Sequence, residues 1–282
     1  MSEGALVWTR ALLYVGALVA MGRALQALRH EHWRSAAGTI HQTRAIRALA
    51  WFGIIALIAA PTLLLRSQMM ALEMTWRDLP SLINETGWGR GFRILAVSTV
   101  ATAIVLPLRM TRRNAWLLTV LAAAVAIAMG GLGHAASDMR WPIGARVLDA
   151  AHVLSIGAWI GGLLVTWLAT RQPGFYSPEA AWRDFSGLAT IMAPLAVLTG
   201  LASGARILVG HAPAVIVNSP YGQMLIVKSI MVAIVLAIGA RQRTRIARGQ
   251  LAAGRSVVIE LGMAAWVLLV TATLTGTAPP GE

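Results

Sequence analysis

The feature that most constrains this chain is the recurrence of apolar runs close to one bilayer thickness in length. A hydrocarbon core of ~30 Å is crossed by ~20 mostly apolar residues in helical form. Residues 115–133 carry no charged side chain, 185–201 carry none, and 147–170 carry only Asp149 and His152 near the start. Residues 221–240 hold one lysine and 256–277 one glutamate. In the N-terminal part, 5–28, 45–65 and 91–108 qualify with arginines near their ends. The expected fold class is therefore an all-α integral membrane protein, a bundle of about eight transmembrane helices. Residues 1–282 read as one polytopic domain, with a more distinctive core at about 90–277 and plainer helices over 1–90.

Composition agrees. Charged residues make up 12% of the chain and hydrophobic ones 57%, whereas a soluble domain carries roughly 25% charged residues. The net charge of +13 could suggest a nucleic-acid partner, but its distribution argues against one. Basic residues of membrane proteins collect in cytoplasmic loops. Arg23, Arg29, Arg34, Arg44 and Arg47 follow the first span, and Arg109, Arg112 and Arg113 follow the third. Arg171 and Arg183 follow the fifth, and Arg241, Arg243, Arg245, Arg248 and Arg255 follow the seventh. The intervening loops are poorer in charge. That alternation predicts eight spans with both termini on the periplasmic side of a bacterial inner membrane. The first charge is Glu3, so the start lacks the positive region of a secretory signal, and the first span is expected to be retained. Cysteine is absent, which removes disulfides and thiolate metal sites.

Packing signals lie inside the spans. Gly157 and Gly161, with Gly162 adjacent, form a small-xxx-small pair, and Gly200 and Gly204 form a second. Such pairs let helix backbones approach where no hydrophobic force draws helices together. Pro61, Pro107 and Pro194 fall within or near the ends of spans and predict kinks whose freed carbonyls need other partners.

Polar side chains inside a bilayer are costly and mark function. Asp149 and His152 are three residues apart and so share one face of a helix, with Trp159 continuing the stripe. His134 closes the preceding span from the same side, after Met129. Two histidines and a carboxylate are thus expected to converge in the outer half of the membrane. Neutral imidazole binds Cu, Zn, Fe and Ni, and thioether sulfur selects Cu(I). Met224, Lys228 and Met231 share a face of the seventh span, and Met192 lies in the sixth. Methionine is also ordinary apolar filler. Lys228 could snorkel to the interface, act on a cation in a pathway, or neutralise Asp149. Glu260 enters the last span from the inner side, where a loop arginine is its expected partner. Arg10 in the first span reads as an internal counter-charge. His211, in the outer loop before the seventh span, is an accessory ligand candidate. His30, His32 and His41 belong to a solvated basic loop.

Several of these segments together resemble the CopD copper-resistance and copper-transport family of bacterial inner membranes. They are Gly133-His134-Ala135, the run from His152 through Trp159, Gly161 and Gly162 to Leu163, and Phe185-Ser186 with Ala189. Leu198-Thr199-Gly200, the run from Tyr221 to Lys228, and Glu260 continue the pattern in order and spacing over roughly the C-terminal half. The resemblance implies an eight-helix protein that handles copper at the cytoplasmic membrane, with no enzymatic step. It maps the family's histidines onto His134 and His152, its tryptophan onto Trp159 and its lysine onto Lys228. A separate periplasmic copper-binding protein of the CopC type is an implied partner, beside membrane lipids.

Two other classes compete with copper transport. Histidines on adjacent membrane helices can ligate haem iron, which would make an electron carrier. A copper-sensing or partner-docking subunit would need no transport at all. No nucleotide-binding loop is present in the sequence, and ATP hydrolysis is not expected.

Overall fold

The computed structural model describes residues 3–29, 34–35, 38–39, 43–130, 141–175, 177–251 and 254–278. The architecture is helical. Long helices are α1 (Glu3–Arg29), α2 (Arg44–Ala71), α4 (Gly87–Val105), α5 (Arg112–Gly130), α8 (Pro178–Leu208), α10 (Pro220–Ala247) and α11 (Gly254–Leu274). A further rod is composite. Here α6 (Pro142–Ile156) runs through a π-turn (Gly157–Gly161) into α7 (Gly162–Thr170). Short helices α3 (Leu79–Glu85) and α9 (Pro213–Asn218) lie in connections, and Arg34–Ser35 pairs with Gly38–Thr39 as a two-residue antiparallel bridge.

Seven of these rods are long and apolar enough to cross a membrane by length and composition. The chain is an all-α, multi-pass membrane protein. The eighth, α4, is 19 residues long but carries Arg90 and Arg93 in its first turns and buries Ser98, Thr99 and Thr102. Those hydroxyls donate to carbonyls of their own helix, Thr102 Oγ1 to Ser98 O at 2.6 Å and Thr99 Oγ1 to Leu95 O at 2.8 Å. A helix packed against α2 and α5 can carry such polarity because its buried face meets protein; of the eight spans expected from sequence, it is the one that falls short by composition.

Contacts fix how the rods run. Arg10, early in α1, donates from Nη1 to the carbonyl of Ala272 near the end of α11, at 3.5 Å. Arg29, the last residue of α1, donates from Nη2 to the carbonyl of Asp184 near the start of α8, at 3.2 Å. The start of α1 and the finish of α11 therefore share one end of the bundle, here the near end. The starts of α8 and α11 lie at the far end, where Gly254 approaches the Arg171 guanidinium at the close of α7.

The centre of the bundle is α1. It packs on α2, α5, the π-turn, α7 and α11, and Ala17, Ala20, Ala24 and Ala27 line its buried face at no more than 2% exposure. The closest approach is glycine on glycine. A Cβ on Gly22 would strike the backbone of Gly161, and one on Gly161 would strike the carbonyl of Leu18. Gly157 is held as tightly against Met21. The small-residue pair expected from sequence thus serves the π-turn, and its partner is the first helix. Arg23, expected in a basic loop, is instead 2% exposed within α1 and donates from Nη2 to the carbonyl of Leu108 at 3.4 Å. Pro61 and Pro194 lie inside α2 and α8, while Pro107 falls in the turn after α4.

By contrast α10 is the most exposed span. It packs chiefly on α11, with lighter contact to α8 and α9. Its helix continues past the apolar stretch to Ala247, carrying Arg241, Arg243 and Arg245 out of the far end. At the near end α2 closes with Glu73 in the left-handed region at φ 54. There the Met74 amide donates to Met69 O at 2.8 Å and the Glu73 amide to Met70 O at 3.3 Å, the bond pair of a Schellman cap.

Candidate functional site

The polar groups of the near half collect around α6. His152 faces α8: its Nδ1 lies 2.8 Å from the carbonyl oxygen of Ala196 and 3.2 Å from Thr199 Oγ1. A carbonyl only accepts, so in the neutral ring the proton sits on Nδ1 and Nε2 keeps its lone pair. A histidine whose Nδ1–H is tied to a backbone carbonyl is the usual arrangement of a metal-ligating imidazole. The ring fits because Gly200 has no side chain. A Cβ there would stand 2.7 Å from His152 Cε1.

Asp149, one turn nearer the bundle end, also faces α8 and accepts from Ser203 Oγ at 2.8 Å. Asp149 and His152 therefore do share a helix face, and that face is covered by the stripe Ala196, Thr199, Gly200 and Ser203. Lys228 of α10 lies within electrostatic reach of both Asp149 and His152. The buried Tyr221 lies within reach of Asp149 and Arg206. From α1, Tyr14 hydrogen-bonds Thr275 and lies within reach of Arg10 and Asp149. One carboxylate is thus surrounded by groups from α1, α8 and α10.

The other expected residues fall in several places. His134, with His30, His32 and His41, lies outside the described residues. Met129 belongs to the core cluster around α1, α2 and α5, and the adjacent Gly130 packs on Asp149 Cβ and Arg146 O. The sulfur of Met224 accepts from Thr277 Oγ1 at 3.8 Å. Met224 lines an open groove of about 320 Å³ between α10 and α11, with Gln223, Val227, Val270 and Thr273. His211 sits in the turn between α8 and α9, its amide donating to Leu208 O at 3.2 Å. Arg10 reaches the carbonyls that finish α11, where a cation meets the negative end of the helix dipole. Among the described residues no three histidine or acidic side chains group as a ready metal cage.

In the far half, Glu260 is 3% exposed. Its side chain is hydrogen-bonded by Gln242 of α10 and by Trp159 of the π-turn, and its Oε1 lies against Gly239. The expected pairing with a loop arginine does not occur among the described residues. Also buried is Gln26 of α1, which donates from Nε2 to Thr166 Oγ1 at 2.8 Å and to Gly162 O at 3.3 Å. The second acceptor is a carbonyl beside the π-turn, where regular helical bonding is interrupted. Such π-turns occur frequently at functional sites.

Sequence reasoning missed Thr199 and Ser203 as partners, although their spacing of four, with Gly200 after the first and Gly204 after the second, forms a small-residue stripe. Gln242 was hidden among arginines, and Gln26 carried no motif.

The region supplying these walls can be compared with known proteins. Residues 179–274 match the family model of Copper resistance protein D, CopD. This stretch is similar to that family. It runs from the start of α8 to the end of α11, about a third of the chain. It contains Ala196, Thr199, Gly200, Ser203, Lys228, Gln242 and Glu260. The chain is thus a multi-pass membrane protein whose last third is similar to a copper-resistance family. No curated protein and no solved structure matches it.

Proposed function

We propose that the chain moves copper ions across a bacterial inner membrane, with His152 and Asp149 as the ligands of a near-half site. The observation that carries this reading is the bond from His152 Nδ1–H to Ala196 O, which leaves Nε2 for a soft or borderline cation. The CopD-family match supports copper as that cation. Asp149 supplies negative charge beside it, and Lys228 supplies a positive charge that limits how tightly a cation is held. Conduction needs sites that bind and also release. His134, His211, Met129 and Met224 are the candidates for delivering the ion to this pair.

The arginine alternation assigns the near end to the periplasm and the far end to the cytoplasm. A periplasmic copper-binding protein of the CopC type would then deliver to the end where α6 begins. The test is copper accumulation in vesicles or cells carrying wild type, His134→Ala or His152→Ala. Uptake should fall in both variants. Unchanged uptake in both would refute the site, and unchanged cellular copper on deletion of the chain would favour a sensing or docking role.

A further inference from the structure

We infer that Glu260 is a proton-binding site in the far half of the bundle, and that Trp159 couples its protonation to the cation site at His152. The coupling rests on the copper-transport reading above, whereas the proton site stands on the geometry of the Glu260 node.

Three observations carry it. First, Glu260 is 3% exposed in a membrane span, and both of its hydrogen-bond partners, Gln242 and Trp159, are neutral. No cation balances it among the described residues, and its Oε1 faces the bare backbone of Gly239. A carboxylate removed from water without a counter-charge is costly, whereas a carboxyl that trades its charge for a proton is what intramembrane relays use. The arginines of this end, Arg241, Arg243, Arg245 and Arg255, are exposed. Among the described residues no charged group is in electrostatic contact with Glu260.

Second, the three members come from three elements. Trp159 lies on the π-turn, Gln242 on α10 and Glu260 on α11. Indole Nε1–H can only donate, so its bond is strong to a carboxylate and weaker to a carboxylic acid. Bonds to an ionised acceptor are roughly twice as strong as neutral ones.

Third, Trp159 and His152 belong to one continuous rod, seven residues or ~10 Å apart along the axis. The π-turn between α6 and α7 is wedged on α1 by Gly161 against Gly22 and Leu18. The element bearing Trp159 is therefore held at two points, by glycine packing on one side and by the Glu260 bond on the other.

In the step itself, a hydronium ion in the water at the far end gives one proton to a Glu260 carboxylate oxygen, leaving a water molecule, and a carboxylic acid forms. The Trp159 and Gln242 donors lose a charged acceptor, and the rod carrying His152 is released from α11. Loss of the proton back to far-end water restores the bonds. Nothing is oxidised or reduced.

Two readouts test this on the full-length protein. Infrared difference spectroscopy in lipid nanodiscs, with pH stepped and no copper present, should show a protonated-carboxyl band that is lost in Glu260→Gln. The band should shift in Trp159→Phe. Absence of such a band in wild type, or its survival in Glu260→Gln, overturns the proton site. Copper uptake is then measured in proteoliposomes with and without an imposed pH gradient, using copper ions alone as the probe. In wild type the gradient should change the rate. In Glu260→Gln and Trp159→Phe, uptake should continue with that dependence lost. Gradient dependence equal to wild type in both variants overturns the coupling. Wild-type vesicles that take up no copper would defeat both the transport reading and the coupling, and the infrared result would still decide the proton site.

Discussion

His152 Nδ1 lies 2.8 Å from the carbonyl oxygen of Ala196, so one side chain on α6 is oriented by the backbone of α8. Outer-sphere partners of this kind fix the tautomer and typically contribute 10–100-fold to metal affinity. Thr199, at 3.2 Å from the same nitrogen, is the partner that can be removed by mutation. Thr199→Val should weaken copper binding by about tenfold, toward the low end of that range, while His152→Ala should abolish it at this site. Competition with a chelator of known affinity, on purified protein in nanodiscs, checks both.

Gly200 tests the same geometry from the other side. A Cβ there would stand 2.7 Å from His152 Cε1, so Gly200→Ala must push the imidazole away from Ala196 O. The variant should insert and remain folded, yet lose copper uptake, the outcome expected also of His152→Ala. Wild-type uptake by Gly200→Ala would show that the ring position does not matter.

The contact between Gly22 and Gly161 is backbone on backbone, with no flexible side chain to give way. Gly22→Ala and Gly161→Ala should each destabilise the bundle by about 1–3 kcal/mol or more, the cost of overpacking. Thermal unfolding in detergent should show a lower midpoint for both. Gly187→Ala, inside α8 at a site with open space around it, should not lower the midpoint, since alanine is the better helix former.

Asp78 gives a prediction in pH. Its Oδ2 accepts from the Thr75 amide and from Thr75 Oγ1, both at 2.8 Å. Those bonds, the backbone one foremost, hold its carboxyl below the usual carboxylate range. A group with a lowered folded pKa contributes stability above its unfolded pKa and loses it as pH falls through the folded value. Protection of the Thr75 and Asp78 amides, taken relative to intrinsic exchange at each pH, should therefore persist at neutral pH and be lost only in acid below the usual carboxylate range. Asp78→Asn should show less protection at neutral pH, and that protection should depend much less on acid.

The sequence by itself determined that this chain is a helical membrane protein, because runs such as residues 115–133 have no soluble alternative at that length and polarity. It also determined that Asp149 and His152 share a helix face, since a separation of three residues leaves no choice. The glycines at 157 and 161 announced a close approach without naming the partner. Tertiary structure decided that the partner is α1, that α8 supplies the carbonyl orienting His152, and that Glu260 is bonded by Trp159 and Gln242 rather than by an arginine. It also buried Arg23, which charge counting had assigned to a loop. Periodicity and composition describe one helix at a time. Which helix lies against which is set by packing between distant segments, and those pairings leave no local mark in the sequence.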